Sequence, residues 1–212
     1  MKRQQMVSTK RVLLILAISA VTWWAAACVT RSEGDRSSAA PIRQAQTPSL
    51  WTRLQTGKGY VVMMRHALAP GIGDPGGFRL NDCSTQRNLS TVGRQQAVQI
   101  GKAFRDRQIP VASVRSSQWC RCLETAKLLN LKPVQAFPSL NSFFNDASTK
   151  ARQTDAVRRL IVSSSNVQGV TILVTHQVNI TALTDIVPAS GESVVLRAKG
   201  QTIEVVGQLQ TP

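Results

Sequence analysis

The chain has two histidines, His66 and His176, and each directly follows a strand-like apolar run, residues 60–64 and 170–175. Arg65 stands immediately before His66. A third such run, 111–115, leads through Ser116 and Ser117 into a helical segment that carries Arg121 in its first turn. This combination suits phosphoryl chemistry. A neutral imidazole is a good nucleophile near neutral pH and can carry a phosphoryl group covalently. Guanidinium groups stay charged and grip phosphate oxygens bidentately. Two arginines and a second imidazole around one phosphate offset its charge as the bond breaks, and a helix start near Ser117 adds backbone donors. Taken singly, each piece is ordinary: a histidine after a strand is usually a satisfied, partly buried residue, Arg65 a surface ion-pair partner, and Ser116-Ser117 a turn. The conjunction at equivalent strand ends carries the inference.

The elements that position these residues alternate. Strand-like segments fall at 60–64, 111–115, 133–137 and 170–175, and a hairpin at 194–197 and 202–206 turns across Lys199-Gly200. Between them, helical periodicity spans about 90–107 behind the N-cap Ser90, then 119–129, 151–164 and 180–186. Alternation of this kind predicts an α/β three-layer sandwich whose central sheet is mostly parallel and flanked by helices. Ligands of such sheets bind beyond the carboxyl ends of the strands. Residues 68–88 hold Pro70, Gly71, Gly73, Pro75, Gly76 and Gly77, a long loop that should line the mouth of the pocket, with Arg79 and Arg87 as further contacts to an anion.

The 212 residues divide into 1–28, 29–49 and 50–212. Lys2, Arg3, Lys10 and Arg11 precede the uncharged run 12–29, which includes Ala25-Ala26-Ala27 and then Cys28. This reads as an export signal, with a lipoprotein signal and an uncleaved membrane anchor as the alternatives. Residues 29–49 read as a linker, and 50–212 as the functional domain. The expected location is therefore the periplasm or cell envelope, with membrane association through the N-terminus under the lipoprotein and anchor alternatives. Four of the 26 Lys and Arg and none of the 11 Asp and Glu precede Cys28, so the rest of the chain keeps a surplus of eleven positive charges. Such a surplus favours anionic partners. Without a basic block or clustered aromatics, nucleic acid is not expected. Cys83 is placed to pair with Cys120 or Cys122 in an oxidising compartment, against the alternative of buried thiols. A cysteine-based phosphatase needs Cys, five residues, then Arg; only three residues separate Cys83 from Arg87, and neither Cys120 nor Cys122 has an arginine at that distance.

The segment VVMMRHA resembles the signature of the histidine phosphatase superfamily, the phosphoglycerate-mutase-like fold. The resemblance continues through Asn88-Leu89-Ser90 to Gly93-Arg94-Gln95, through Ser116-Ser117, Arg121 and Thr125-Ala126, and ends in Thr175-His176 followed by Asn179. It is similar in particular to small exported bacterial members, some of which act on phosphorylated envelope sugars. The resemblance implies that His66 is the nucleophile, that Arg65, Arg121 and His176 bind the transferred phosphate, and that no metal or organic cofactor takes part. The implied partner is a phosphorylated small molecule or an envelope glycolipid. One departure matters. The proton donor of one branch follows the second histidine, where this chain has Gln177. That of the other lies in an L-x-E segment, where this chain has Leu140-Asn141-Ser142. Asp82, Asp146, Glu192 or water are the candidates left. An alternative follows from this gap: a catalytically weak or inactive module that binds a phosphorylated or anionic ligand.

Overall fold

The computed structural model describes residues 48–210. The export segment, Cys28 and residues 29–47 of the linker lie outside the described residues. Among those described, no helix is long and apolar enough to cross a membrane.

Six strands form one sheet: β1 (Lys58–Arg65), β2 (Val111–Ser116), β3 (Val134–Ala136), β4 (Gly169–Thr175), β5 (Ser193–Lys199) and β6 (Thr202–Leu209). Their order is β3-β2-β4-β1-β5-β6. The first four run parallel, and β5 and β6 add an antiparallel edge. The centre of the sheet, β4 beside β1, is where the two histidine-bearing strands pair, with Arg65 opposite Thr175. Both strand ends therefore open on the same side of the sheet.

Helices cover both faces. Helices α1 (Leu50–Gln55), α2 (Thr91–Asp106) and α3 (Cys120–Leu129) pack on one face, and α4 (Lys150–Ser163) and α5 (Gln177–Thr184) on the other. Strand β1 shows why its sequence lacks polar alternation. Val62 and Met64 pack with Ile100, Phe104 and Leu129, whereas Val61 and Met63 pack with Val157, Ile161 and Ile180. All four are fully buried, each worth about 1.5–3 kcal/mol of apolar transfer. Two glycines set the spacing of α2. A Cβ on Gly101 would lie 2.0 Å from the Leu129 carbonyl oxygen, so α2 and α3 meet backbone to backbone. A Cβ on Gly93 would lie 2.0 Å from the Leu68 carbonyl oxygen, so the loop after His66 is seated against the helix start.

Three element boundaries differ from the sequence expectation. Helix α5 starts at Gln177, not at residue 180, because His176 already turns the chain in an extended conformation as its N-cap. The apolar periodicity becomes visible only from Ile180. Strand β6 runs on to Leu209, which returns to the core. Helix α1, six residues long, is too short to show a period; Ser49 caps it, its Oγ accepting from the Thr52 N–H at 3.2 Å.

Candidate active site

A cavity of about 250 Å³ opens at the carboxyl ends of β1, β2 and β4. Arg65, His66, Arg87, Arg121 and His176 line it, so the residues singled out at three strand ends do converge. His66 is 2 % exposed and donates from Nδ1 to the Ala67 carbonyl at 2.7 Å. That bond leaves the Nε2 lone pair for chemistry; it accepts from Arg121 Nε at 3.2 Å. Burial, then the neighbouring Arg121, Arg87 and Arg65 charges, push the His66 imidazole down to about 3 against the opposing bond to Ala67. The His66 imidazole is therefore neutral throughout the ordinary pH range.

His176 is also buried, and burial followed by the charges around it lowers its pKa well below the ordinary value. Its Nδ1 faces Arg121 Nη2 at 3.5 Å and its Nε2 faces Ser117 Oγ at 2.9 Å. These partners assign the proton to Nε2, since the guanidinium can only donate. Ser117 Oγ donates onward to Asn141 Oδ1 at 3.2 Å. Cys122 packs beside this imidazole, and burial pushes its thiol up to about 12, which leaves it inert as a nucleophile.

Both neutral imidazoles make the fold acid-sensitive. The unfolded chain protonates His66 near pH 6.5, but the folded chain does so only near 3. The unfolded state thus binds more protons in that window, and stability falls as pH drops from about 6.5 towards 3. Each pH unit in the window should cost about 1.4 kcal/mol per imidazole. Urea midpoints at pH 7 and pH 5 test this, with a shallower pH dependence expected for His66→Gln.

Arg65 donates from Nη1 to the Pro188 carbonyl at 2.9 Å, while its Nε is buried with no partner among the described residues. Arg87, from the loop, donates to the Gly73 and Ala69 carbonyls and pins the loop over the site. Arg79 is instead on the surface, paired with Asp82 at 2.6 Å. Arg115 also points elsewhere, over the Phe137 ring.

None of the proton-donor candidates lines this cavity; Asp146 lines a neighbouring one. Asp82 caps a 3-10 turn, accepting from Ser84, and Asp146 caps another, accepting from the Ser148 N–H. Glu192 accepts from the Ala189 N–H at 2.8 Å. The carboxylate that does line the cavity is Asp74, which sequence reasoning missed. It makes a buried fork with Arg121: Nη1 to Oδ1 at 2.6 Å and Nη2 to Oδ2 at 3.1 Å. Trp119 Nε1 donates to Oδ2 at 3.0 Å and the Arg87 N–H to Oδ1 at 3.2 Å. Burial pushes the Asp74 carboxyl up, but the hydrogen bonds from Arg121 and Trp119 outweigh it and hold the group below its usual range.

The donors expected near Ser117 are already used. The Gln118 N–H goes to Asn141 Oδ1, that of Trp119 to Ser117 Oγ and that of Cys120 to Gln86 Oε1. The helix start that reaches the cavity belongs to α5, through Gln177 and Val178. No group of three His, Cys, Asp or Glu side chains among the described residues has the arrangement to hold a metal ion.

A disulfide joins Cys83, in the loop, to Cys120, next to Arg121, and Cys122 stays free. It closes a segment of 37 residues and ties the loop to the start of α3. Removing a bridge of that span should cost about 2–4 kcal/mol. A paired Cys83→Ser, Cys120→Ser variant is therefore expected to unfold at lower urea and to show faster amide exchange across residues 70–87.

No family model matches the chain, and no curated protein matches it in sequence. Solved structures do. The protein histidine phosphatase SixA, complexed with tungstate, superposes with a TM-score of 0.52 at 13 % identity over 71 % of this chain and 96 % of its own. The Rv3214 product of Mycobacterium tuberculosis gives 0.55 at 15 % identity, over 72 % and 97 %. A mycobacterial glucosyl-3-phosphoglycerate phosphatase, Rv2419c, gives 0.51 at 18 % identity, over 70 % and 97 %. The three-layer α/β architecture is thus shared with these solved structures. The fold is the phosphoglycerate-mutase-like α/β fold, with a mostly parallel central sheet flanked by helices.

Proposed function

We propose that the chain is a phosphatase that hydrolyses a phosphate ester through a phosphohistidine on His66. One observation carries this reading. Three guanidiniums and a single carboxylate face two neutral imidazoles in one cavity, a surplus of two positive charges. That surplus matches a phosphate monoester dianion, which carries a charge near −2 at neutral pH. His66 presents a lone pair at the edge of this charge, and Arg65 presents an unpartnered N–H. The arginines neutralise the phosphate and align it.

The body of the substrate has a place to lie. A second cavity, of about 600 Å³, adjoins the first and shares Trp119, Ser142 and Asn145 with it. Phe78 stacks on Trp119 there, with centroids 5.0 Å apart, beside Asn141, Arg152 and Gln153. An aromatic floor with amide and hydroxyl neighbours suits a hydroxylated ring. We infer a phosphorylated sugar, free or as the headgroup of an envelope glycolipid. Export to the periplasm or cell envelope is part of the reading, supported by the sequence of residues 1–28 and by the Cys83–Cys120 bridge, since disulfides persist in oxidising compartments.

The missing donors at Gln177 and Ser142, and the hold of Asp74 on Arg121, favour the rival reading of a binding module without turnover. A panel of sugar phosphates, lipid-linked sugar phosphates, phosphoserine peptides and phosphohistidine peptides separates the two. Release of many phosphates per chain, highest on the sugar phosphates, is expected. Phosphate-competitive binding without release would establish the binding module instead.

A further inference from the structure

Asp74 has no role in the phosphate-binding account above, yet it occupies the centre of the site. Arg121 lies between it and the nucleophile: Nε points to His66, and both Nη atoms point to the carboxylate. The remaining two N–H groups of the guanidinium go to the Arg87 carbonyl at 3.3 Å and to His176 Nδ1 at 3.5 Å. A guanidinium has five N–H donors, so every one is engaged. A phosphate can reach Arg121 only by exchange with one of these partners. The carboxylate is the partner it resembles, an anion held bidentately in a fork.

We propose that Asp74 is the proton donor to the leaving group, freed for that task when substrate phosphate takes its place on Arg121. The proposal rests on the phosphatase reading. Asp74 is the one acidic residue lining the cavity among those described. Its carboxylate is held on the Nη side of the guanidinium whose Nε meets His66 Nε2. Gly73 precedes Asp74 at a positive φ of +67°, and Ile72, two residues before it, is 90 % exposed. After the exchange, Trp119 Nε1 and the Arg87 N–H remain to hold the carboxyl at the pocket.

The exchange itself makes Asp74 an acid. It loses two charge-assisted hydrogen bonds and gains a dianion as neighbour, while burial continues to disfavour its charged form. It then takes a proton from solvent. His66 Nε2 attacks phosphorus, the ester P–O bond breaks, and the Asp74 proton passes to the departing oxygen. An alcohol leaves, with a carboxylate and a phosphohistidine remaining. Water next attacks the phosphohistidine. Asp74 accepts the proton that water gives up, the N–P bond breaks, and its electron pair returns to Nε2 as inorganic phosphate forms.

The test compares Asp74→Asn, which keeps the size of the side chain and one of its two acceptor oxygens, with wild type on phenyl phosphate and on 2,4-dinitrophenyl phosphate. Phenolate needs a proton to leave and dinitrophenolate does not. For Asp74→Asn, kcat/KM on phenyl phosphate should fall about 100-fold or more, and on the dinitrophenyl ester less than about fivefold. The retained dinitrophenyl activity also certifies folding. The alkaline limb of the phenyl phosphate pH profile should disappear with the carboxyl. Equal losses on both esters, or a gain on both as expected for a carboxylate that merely blocks Arg121, would overturn the proposal. His66→Ala serves as the separate control: activity surviving there overturns the phosphatase reading itself, whereas a silent His66→Ala with an indiscriminate Asp74→Asn overturns only the role of Asp74.

Discussion

Replacing His66 by alanine is expected to lower kcat/KM on any phosphate ester by at least about 10⁴-fold, because no other group can take its place as nucleophile. His176 keeps its Nε2 proton on Ser117 and turns Nδ1 to Arg121. Cys122, the free thiol, is pushed up to about 12 by burial. Phosphate binding should survive the substitution, since Arg65, Arg87 and Arg121 all remain. The expected signature is a collapse in kcat with little change in the affinity for inorganic phosphate as a competitor. Titration calorimetry with inorganic phosphate supplies the second number. Urea unfolding should show less acid sensitivity, because a buried neutral imidazole has gone.

Arg121→Ala should be the other severe substitution, and it should act on two properties at once. Activity is expected to fall about 10²–10³-fold, the usual loss when a principal donor to the transition-state oxygens is removed. Stability should fall as well. Asp74 has 8 % of its side chain exposed and would lose its charged partner, and stranding one half of a buried pair typically costs about 3–5 kcal/mol. The double variant Arg121→Ala, Asp74→Ala separates the effects. It should regain most of the stability, because no orphaned carboxylate remains, and none of the activity. Urea midpoints and phosphate release on wild type and the two variants provide the comparison. An Arg121→Ala chain as stable as wild type would mean that the fork contributes nothing to folding.

How far these residues could be read from the sequence depends on how local their signals are. Strands β1 and β4 announce themselves as apolar runs because both their faces are covered, and His66 and His176 are legible as the residues where those runs stop. Arg121 is legible through helical register, four residues before the Thr125 that shares its face. Ser90 reads as an N-cap and is one. Asp74 offers no such signal. It lies in a glycine- and proline-rich stretch without periodicity, and its partner Arg121 is 47 positions away. Only the packed chain brings them together.

The misplaced proton donors have the opposite cause. Asp82-Cys83-Ser84 and Asp146-Ala147-Ser148 share an Asp-x-Ser pattern in which the carboxylate accepts from the serine two residues on. That is a turn-forming habit of aspartate, visible in the sequence and sufficient to account for both residues without catalysis. The donors near Ser117 were misjudged because their acceptors, Asn141 and Gln86, come from distant segments.

The central claim is that His66 carries the phosphoryl group between two half-reactions. Rapid acid-free quenching of the enzyme during turnover of a labelled phosphate ester, followed by peptide mapping, addresses it directly. The account predicts an alkali-stable, acid-labile phosphoryl group on the peptide that contains His66, absent from His66→Ala and discharged by water at a rate consistent with kcat. A label on His176 or on the Asp74 carboxylate, or steady turnover with no phosphoenzyme at any time, would contradict it.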